Sequence, residues 1–335
     1  MSRRSIEKLP RFLKETGKRF VNSYLNHHEP GNKNDIVILS SPRSGSTWLM
    51  ELFYVEPGVK YIYEPLGKKI LDYNGFLPIN TRWYWINLSD KEKEVLAEYF
   101  LGDKEISHFG PRNPLDKFYN FFTDRRVIKI IRANSLIKWF AREFDYEVIY
   151  LVRHPLAQVI SAIQRGHTPA GRQFLDNSWF VENYLGPDLR EYGMRILDNG
   201  SKREKFVLEW CLDNIIPLEE MKNTDEFLTV TYEELVLETE KFIDWFSSAY
   251  DLEAKDEMME KVTSPSKTSD SSNSETREKI QSGDNMYLVK KWQSEYSKEE
   301  IKELFEIVEK FGISAYRADR LLPEKKFLHF RDSLE

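Results

Sequence analysis

The chain is 335 residues long, which is enough for one large domain with a substantial core. Its composition, 41% hydrophobic and 31% charged, is ordinary for a soluble globular protein. The net charge of -6 argues against a general nucleic-acid binder, because no face dominated by Lys and Arg stands out. If the protein binds a polyanionic ligand, we expect nearby basic side chains to hold it, because the net charge of the chain is negative.

The N-terminal segment is basic and has scattered apolar positions, but it lacks the continuous apolar core of a secretory signal. No apolar run in the chain approaches the ~18–20 residues that span a bilayer. We expect residues 1–30 to form a basic amphipathic extension. Two interpretations stay open: residues 1–28 form a helix docked on the body, or they contact a membrane surface or a partner. Cys211 is the only cysteine, so no intramolecular disulfide forms, which fits a reducing compartment. Because no apolar run is long enough for a membrane anchor, we expect a cytoplasmic protein. The oligomeric state is not predicted.

Strand-like and helical patterns alternate along the chain. Strands are predicted at 35–39, 59–63, 127–131, 147–152 and 227–230. Helices are predicted at 47–53, 90–101, 134–144, 155–165, 203–222, 232–236, 239–250 and 298–311. This alternation predicts a three-layer α/β/α fold with a central, mostly parallel sheet of about five strands, in a single domain over 31–325. The polar stretch 263–276 is expected to be a loop, either a lid or a disordered linker.

A loop rich in Ser follows the first predicted strand and leads into a helix. It reads Ser40-Ser41-Pro42-Arg43-Ser44-Gly45-Ser46-Thr47. In open parallel sheets, ligands bind beyond the carboxyl ends of the strands, and the amides of a helix N-terminus attract anions. Gly45 permits close approach of the backbone, and Arg43 supplies a fork of donors for phosphate or sulfate oxygens. The loop is P-loop-like but is not a Walker A loop, because no lysine follows Gly45.

Three motifs occur in order along the chain: P-R-S-G-S-T at 42–47, Y-E-P-L at 63–66 and V-I-Y-L-V-R-H-P-L-A at 148–157. Together they resemble the superfamily of sulfotransferases that use 3′-phosphoadenosine-5′-phosphosulfate (PAPS), most closely its carbohydrate and tyrosylprotein branches. The resemblance covers 35–165 and continues more weakly to 312. It implies transfer of a sulfuryl group from PAPS to an acceptor, with adenosine 3′,5′-bisphosphate (PAP) as the second product.

The resemblance also implies which residues bind the cofactor. Arg153 and Ser161 match the arginine and serine that hold the 3′-phosphate. The loop residues would hold the 5′-phosphosulfate; they are Arg43, Ser44, Gly45, Ser46 and Thr47. The aspartate that usually follows the matching arginine is His154 here, and its role is left open.

Glu64 matches the glutamate that related branches use as general base, and Lys129 matches a lysine that stabilises charge on the bridging oxygen. A solvated strand-end carboxylate and a solvated lysine are the competing interpretations. The cytosolic branch uses a histidine as base, and its position is occupied here by Ile131, which cannot accept a proton. We therefore predict Glu64, Lys129 and Arg43 as the catalytic residues. No spacing typical of metal ligands is present, and the reaction as interpreted needs no metal.

We expect the acceptor to be a carbohydrate or another small hydroxylated molecule, bound by residues from 66–125 and 167–200. Trp83, Tyr84 and Trp85 are available for stacking on a sugar. His108 and His167 either touch the substrate or lie on the surface. Two alternatives remain open: a small-molecule kinase that uses the loop for ATP, and a non-catalytic nucleotide-binding module.

Overall fold

The computed structural model describes residues 25–67, 83–101, 116–222, 225–264 and 274–325, apart from the side chains of Ser274 and Arg277. The strands in this part of the chain are β1 (His27–His28), β2 (Asp35–Ser40), β3 (Val59–Tyr63), β4 (Phe122–Thr123), β5 (Arg125–Ile131), β6 (Tyr146–Val152) and β7 (Leu228–Thr231). The helices are α1 (Ser46–Phe53), α2 (Asp90–Leu101), α3 (Ile137–Glu143), α4 (Pro155–Gln164), α5 (Arg172–Leu175), α6 (Ser178–Phe180), α7 (Gly186–Asn199), α8 (Lys202–Glu220), α9 (Tyr232–Leu237), α10 (Thr239–Ala249), α11 (Lys255–Val262), α12 (Ser274–Gln281), α13 (Asn285–Lys290) and α14 (Lys298–Lys310).

Five strands form one parallel sheet in the order β3-β5-β2-β6-β7. Ser40 at the end of β2 pairs with Ile131 of β5 and with Leu151 of β6, so the carboxyl ends of the three strands reach the same edge. Tyr63 of β3 pairs with Lys129, which brings the end of β3 to that edge as well. The predicted five-stranded parallel sheet is confirmed.

Both faces of the sheet are covered, because alternate residues of a strand point to opposite sides. On β2, Val37 and Leu39 belong to a core that includes α4, α8 and α14, whereas Ile36 and Ile38 pack with α1, α10 and α11. All four side chains are fully buried. The three-layer α/β/α arrangement is therefore confirmed.

The predicted helices form close to their expected bounds. α2 starts after Ser89, whose hydroxyl accepts from the Glu92 N–H while the Glu92 carboxylate accepts from the Ser89 N–H. The helical prediction at 134–144 begins as a 3-10 turn, Asn134–Leu136, before α3. Helices α5, α6, α11, α12 and α13 were not predicted, because each has eight residues or fewer and offers little apolar periodicity. α7 has 14 residues and was also not predicted; Gly186 and Gly193 lower its helix propensity.

Two predicted segments fall mainly outside the described residues. Residues 1–24 of the N-terminal extension lie there, and at its end His27–His28 forms a short strand beside Phe122–Thr123 instead of continuing a helix. Residues 265–273 of the polar stretch also lie there. Its described flanks, Val262 and Ser264, line the cleft at the sheet edge. None of the helices in the described ranges is long and apolar enough to cross a membrane.

Candidate active site

The loop between β2 and α1 depends on a glycine. Gly45 has φ +98°, and a Cβ added there would lie 2.4 Å from Cδ2 of Tyr232. Arg43 also has a positive φ of 73°. Since L side chains rarely adopt such conformations, the loop needs glycine at position 45 for both its backbone and its close contact with Tyr232.

Buried polar side chains hold the base of the loop. The Ser41 hydroxyl donates to Oδ1 of Asn214 at 3.1 Å and accepts from Nδ2 of Asn134 at 3.1 Å. Tyr150 donates to the same Asn214 oxygen at 2.6 Å. Because Asn214 lies on α8, this network ties the loop to the long helix beneath it.

The structure brings together the three residues that were predicted from separate motifs. Nε of Arg43 donates to Oγ of Ser161 at 3.0 Å, and Nη1 of Arg153 donates to the backbone oxygen of Arg43 at 3.1 Å. The Arg153 guanidinium also stacks over the Tyr232 ring, 4.2 Å from its centroid. The end of β6 and the middle of α4 therefore meet the loop.

A third cation, Lys291, joins these arginines and was not predicted as a site residue. Burial and the neighbouring Arg153 charge lower the pKa of Lys291 to about 8. Burial, Arg165 and Arg153 lower the pKa of Arg43 to about 10. Within the described part of the chain, neither arginine nor Lys291 lies within ion-pair distance of a carboxylate.

This concentration of positive charge fits a polyanion such as PAPS. The cations repel one another, so an anion between them lowers the electrostatic cost of the site. Gly45, Ser46 and Thr47 line the cleft together with Arg43 and Arg153. Ser44 is fully buried, and neither Ser44 nor Ser161 is among the described residues that line the cleft. The sequence gave only a weak signal for Lys291: the pair Lys291-Trp292 lies in the region where the resemblance to the sulfotransferase superfamily is weak.

Glu64 and Lys129 form an ion pair at the edge of the cleft. Nζ of Lys129 lies 2.6 Å from Oε1 of Glu64 and 4.2 Å from the centroid of the Tyr63 ring. Burial opposes ionisation of Glu64, but the charge and hydrogen bond of Lys129, with the charge of Arg132, hold its pKa below the usual value. Glu64 directly follows the edge strand β3, and β5 lies between β3 and β2, the strand that leads into the loop.

A second cavity, of about 570 Å³, adjoins the cleft. Pro42, Arg132 and His167 line both spaces. We call the second one the Asp213 cavity; its lining includes Trp83, Tyr84, Gln158, Phe206, Trp210 and Asp213.

The three aromatic residues predicted to stack on a sugar lie in different environments in the structure. Trp83 is 63% exposed and Tyr84 is buried, and both line the Asp213 cavity. Trp85 belongs to the core, where its indole N–H donates to the backbone oxygen of Leu66. The expectation that Trp85 stacks on a sugar is therefore wrong, because core packing occupies its ring. His108 lies outside the described residues.

His154 is a packing residue. It is fully buried, and its ring stacks on Trp292 with centroids 4.2 Å apart. Burial and the charge of Arg153 lower the pKa of His154 to about 3, so the ring is neutral at neutral pH. A neutral side chain at this position leaves the charge of Arg153 available to an anion.

The fold places a cleft with several cations at the carboxyl edge of a parallel sheet, and a second cavity adjoins this cleft. The chain belongs to the sulfotransferase domain family, whose pattern matches residues 33–311. It is a PAPS-dependent sulfotransferase. No curated protein sequence matches it.

The solved structures that are similar to this chain include the following three. The sulfotransferase domain of the olefin synthase of Synechococcus PCC 7002 is 17% identical, with 85% of this chain and 96% of that chain covered and a TM-score of 0.46. Mouse sulfotransferase SULT7A1 complexed with PAP is 19% identical, with 84% of each chain covered and a TM-score of 0.38. Retinol dehydratase in complex with androsterone and PAP is 14% identical, with 83% and 80% covered and a TM-score of 0.32.

Proposed function

We propose that the chain transfers a sulfuryl group from PAPS to a hydroxyl of a carbohydrate or another small hydroxylated acceptor, with Glu64 as general base. The observation that carries this proposal is the Glu64–Lys129 pair, which faces the same cleft as the loop that begins at Pro42. The cleft provides a proton acceptor and a cation beside the loop.

The cofactor would be held by the cations of the cleft. Arg153, Ser161 and Lys291 would surround the 3′-phosphate, and Arg43 with the amides of Gly45 to Thr47 would bind the 5′-phosphosulfate. When bound, PAPS supplies the sulfuryl group and a phosphate leaving group. Arg43 then provides positive charge where negative charge builds on the leaving oxygen.

Glu64 accepts the proton of the acceptor hydroxyl as that oxygen forms its bond to sulfur. Its lowered pKa keeps the carboxylate ionised at neutral pH and therefore able to accept a proton. The ammonium of Lys129, 2.6 Å away, orients the carboxylate and lies where it can stabilise charge on the bridging oxygen. Positioning and electrostatics carry most of the rate in the related phosphoryl transfers.

The acceptor would enter through the Asp213 cavity, which reaches the cleft at Pro42, Arg132 and His167. The exposed Trp83 ring at this cavity offers a flat apolar face to a sugar. The Y-E-P-L motif, which resembles the carbohydrate branch, supports the same class of acceptor.

An acceptor screen tests the proposal. The full chain is incubated with PAPS and a panel of sugars, phenols and alcohols, and mass spectrometry detects the added sulfuryl group. A thermal shift with PAP is run beside one with ATP and Mg²⁺. We expect PAP to stabilise the protein and at least one hydroxyl acceptor to be sulfated. Stabilisation by ATP alone would overturn the cofactor assignment, and sulfation of amines only would overturn the hydroxyl acceptor.

A further inference from the structure

We propose that the Asp213 cavity selects acceptors that carry a protonated amine, which Asp213 and Gln158 bind at the end away from the reacting hydroxyl. The inference rests on the proposed function in one respect: it takes this cavity to be the acceptor site. It adds the chemical class of the acceptor and the residues that recognise it.

Three buried acceptor oxygens of residues that line this cavity have no hydrogen-bond donor of normal geometry in the described part of the chain. Asp213 is 2% exposed, and neither of its carboxylate oxygens has a hydrogen bond of normal geometry with a described residue. The Ser41 hydroxyl lies close enough to lower the pKa of Asp213, but it donates its proton to Asn214. Gln158 is 8% exposed, and its Oε1 also lacks a donor among the described residues. Asp213 lies on α8 and Gln158 on α4, so residues with unsatisfied oxygens come to the lining of one cavity from two different helices.

Glu209, one helical turn before Asp213 on α8, shows what a satisfied carboxylate looks like in the same cavity. One of its oxygens accepts from the Tyr84 hydroxyl, and the other accepts from the Ala170 N–H at 2.9 Å. Both oxygens are thus occupied by protein donors. Among the described residues, Asp213 has no donors that correspond to Tyr84 and Ala170. A buried carboxylate without donors lowers the free energy of unfolding.

The electrostatics of the cavity favour a cationic donor. Burial, together with the charge of Glu209, raises the pKa of Asp213 to about 7. The Ser41 hydroxyl and the charge of Arg132 lower the pKa but do not cancel this rise. A bound ammonium favours the ionised carboxylate and offers three N–H donors, which matches the three unsatisfied oxygens. A neutral hydroxyl offers one donor and leaves the carboxylate without a counter-charge.

The charges also orient such an acceptor. Arg132 lies at the junction with the cleft and repels an ammonium there, so the amine is directed to the Asp213 end. His167 lies at the same junction, and burial with the charges of Arg43 and Arg132 lowers its pKa, which favours the neutral ring. The hydroxyl end of the acceptor then points toward Glu64.

The walls between the two ends suit a ring or a short apolar spacer. Phe206 and Trp210 are almost fully buried, and Val159 and Ala162 add aliphatic surface. The structure therefore assigns the cavity to small amino alcohols, aminoalkyl phenols or amino sugars.

Matched acceptors test this inference with the full chain. Tyramine, tyrosol and para-propylphenol share a phenol and differ at the far end in an ammonium, a hydroxyl or a methyl group; glucosamine and glucose form a second set. We measure kcat/KM with PAPS, and in parallel the binding of each compound by calorimetry in the presence of PAP. In at least one set, kcat/KM for the amine should be about ten times kcat/KM for its neutral analogues, because the amine makes a charged hydrogen bond.

Variants decide whether Asp213 is responsible. Asp213→Asn should remove the amine preference, because kcat/KM for the amine falls about tenfold more than kcat/KM for para-propylphenol, while PAP affinity stays within about twofold of wild type. Gln158→Leu should reduce the preference partly. Asp198→Asn, on the exposed end of α7, is the matched control. If Asp213→Asn fails to fold, the reduced amine preference of Gln158→Leu is measured in its place.

Several results would overturn the inference: equal kcat/KM for charged and neutral members, a preference for tyrosol, or an equal loss with every acceptor in Asp213→Asn. Failure of the proposed function has a different signature. In that case no acceptor is sulfated, while Asp213-dependent binding of the amine remains measurable by calorimetry. If no amine binds more tightly than its neutral analogue, the inference is wrong whatever the turnover shows.

Discussion

Nε of Arg43 donates a hydrogen bond to Oγ of Ser161 at 3.0 Å, which joins the loop after β2 to the middle of α4. The two residues are 118 positions apart in the chain. The contact places the residue predicted for the 5′-phosphosulfate next to the residue predicted for the 3′-phosphate. If both residues bind the cofactor as proposed, its two ends share one continuous cationic surface.

Arg153→Ala should weaken PAP binding about tenfold to a hundredfold, because charge-assisted hydrogen bonds contribute about 1.5–3 kcal/mol. Ser161→Ala should have a smaller effect, since a neutral hydroxyl is lost and Arg43 keeps its charge. Isothermal titration calorimetry with PAP measures both. Arg172→Ala, on the exposed pair with Asp198, is the control. An unchanged Kd in Arg153→Ala would exclude Arg153 from the cofactor site.

Glu64→Gln should lower kcat about 10²- to 10⁴-fold while PAP binding stays close to wild type, because the amide cannot accept the acceptor's proton. Steady-state kinetics and calorimetry separate the two effects. Glu260→Gln is the matched control, because Glu260 is also paired with a lysine but lies on the surface. Retention of wild-type kcat in Glu64→Gln would shift the role of base to another group, with His167 at the cavity junction as the next residue to replace.

Gly45→Ala should abolish PAP binding and lower Tm, because a Cβ adds both a strained positive φ and a clash with the Tyr232 ring. Gly312→Ala separates these effects. Its φ is +70°, yet no atom lies within 4 Å of the added Cβ, so it reports the backbone strain alone. Thermal shift with and without PAP measures both variants. Equal loss of Tm in the two would show that the Tyr232 contact is unimportant.

Lys291 should make PAP affinity depend on pH. Its pKa is lowered to about 8, so the ammonium is charged below that pH and loses its proton as the pH rises through it. Wild-type affinity should therefore fall above about pH 8, whereas Lys291→Arg should hold its affinity to higher pH. Calorimetry on either side of that pKa tests this, with Lys290→Arg as the control. The same pH profile in wild type and Lys291→Arg would contradict the assignment.

Asp213 should make stability depend on pH. Its pKa rises from 3.8 to about 7 on folding, so the folded state keeps a proton that the unfolded state has lost. The stabilisation is fully present below about pH 3.8 and is lost as the pH rises through about 7, by roughly 4 kcal/mol in all. The Tm of Asp213→Asn should therefore rise relative to wild type as the pH increases across this window. Asp198→Asn should show no such trend, and a flat difference for Asp213→Asn would refute the raised pKa.

Much of the fold was predictable from local pattern. The run DIVIL before the loop, the β-branched segments of β5 and β6, and the Ser89 and Ser297 caps all act within a few residues, so the sequence predicts their positions well. The helices α5 and α6 were missed because segments of three or four residues carry too little periodicity, and α7 was missed because Gly186 and Gly193 lower its helix propensity.

The sequence by itself determined the loop, its glycine and the order of the motifs that contain Glu64, Arg153 and Ser161, because each is a local pattern of residue types. Only the tertiary structure decided that Lys291 lies near the two arginines and that Trp85 packs in the core. It also decided that Asp213 and Gln158 line the same cavity and that their side-chain oxygens lack donors of normal geometry among the described residues. Burial and charge–charge distance set those properties, and both depend on residues far apart in the chain that only folding brings together.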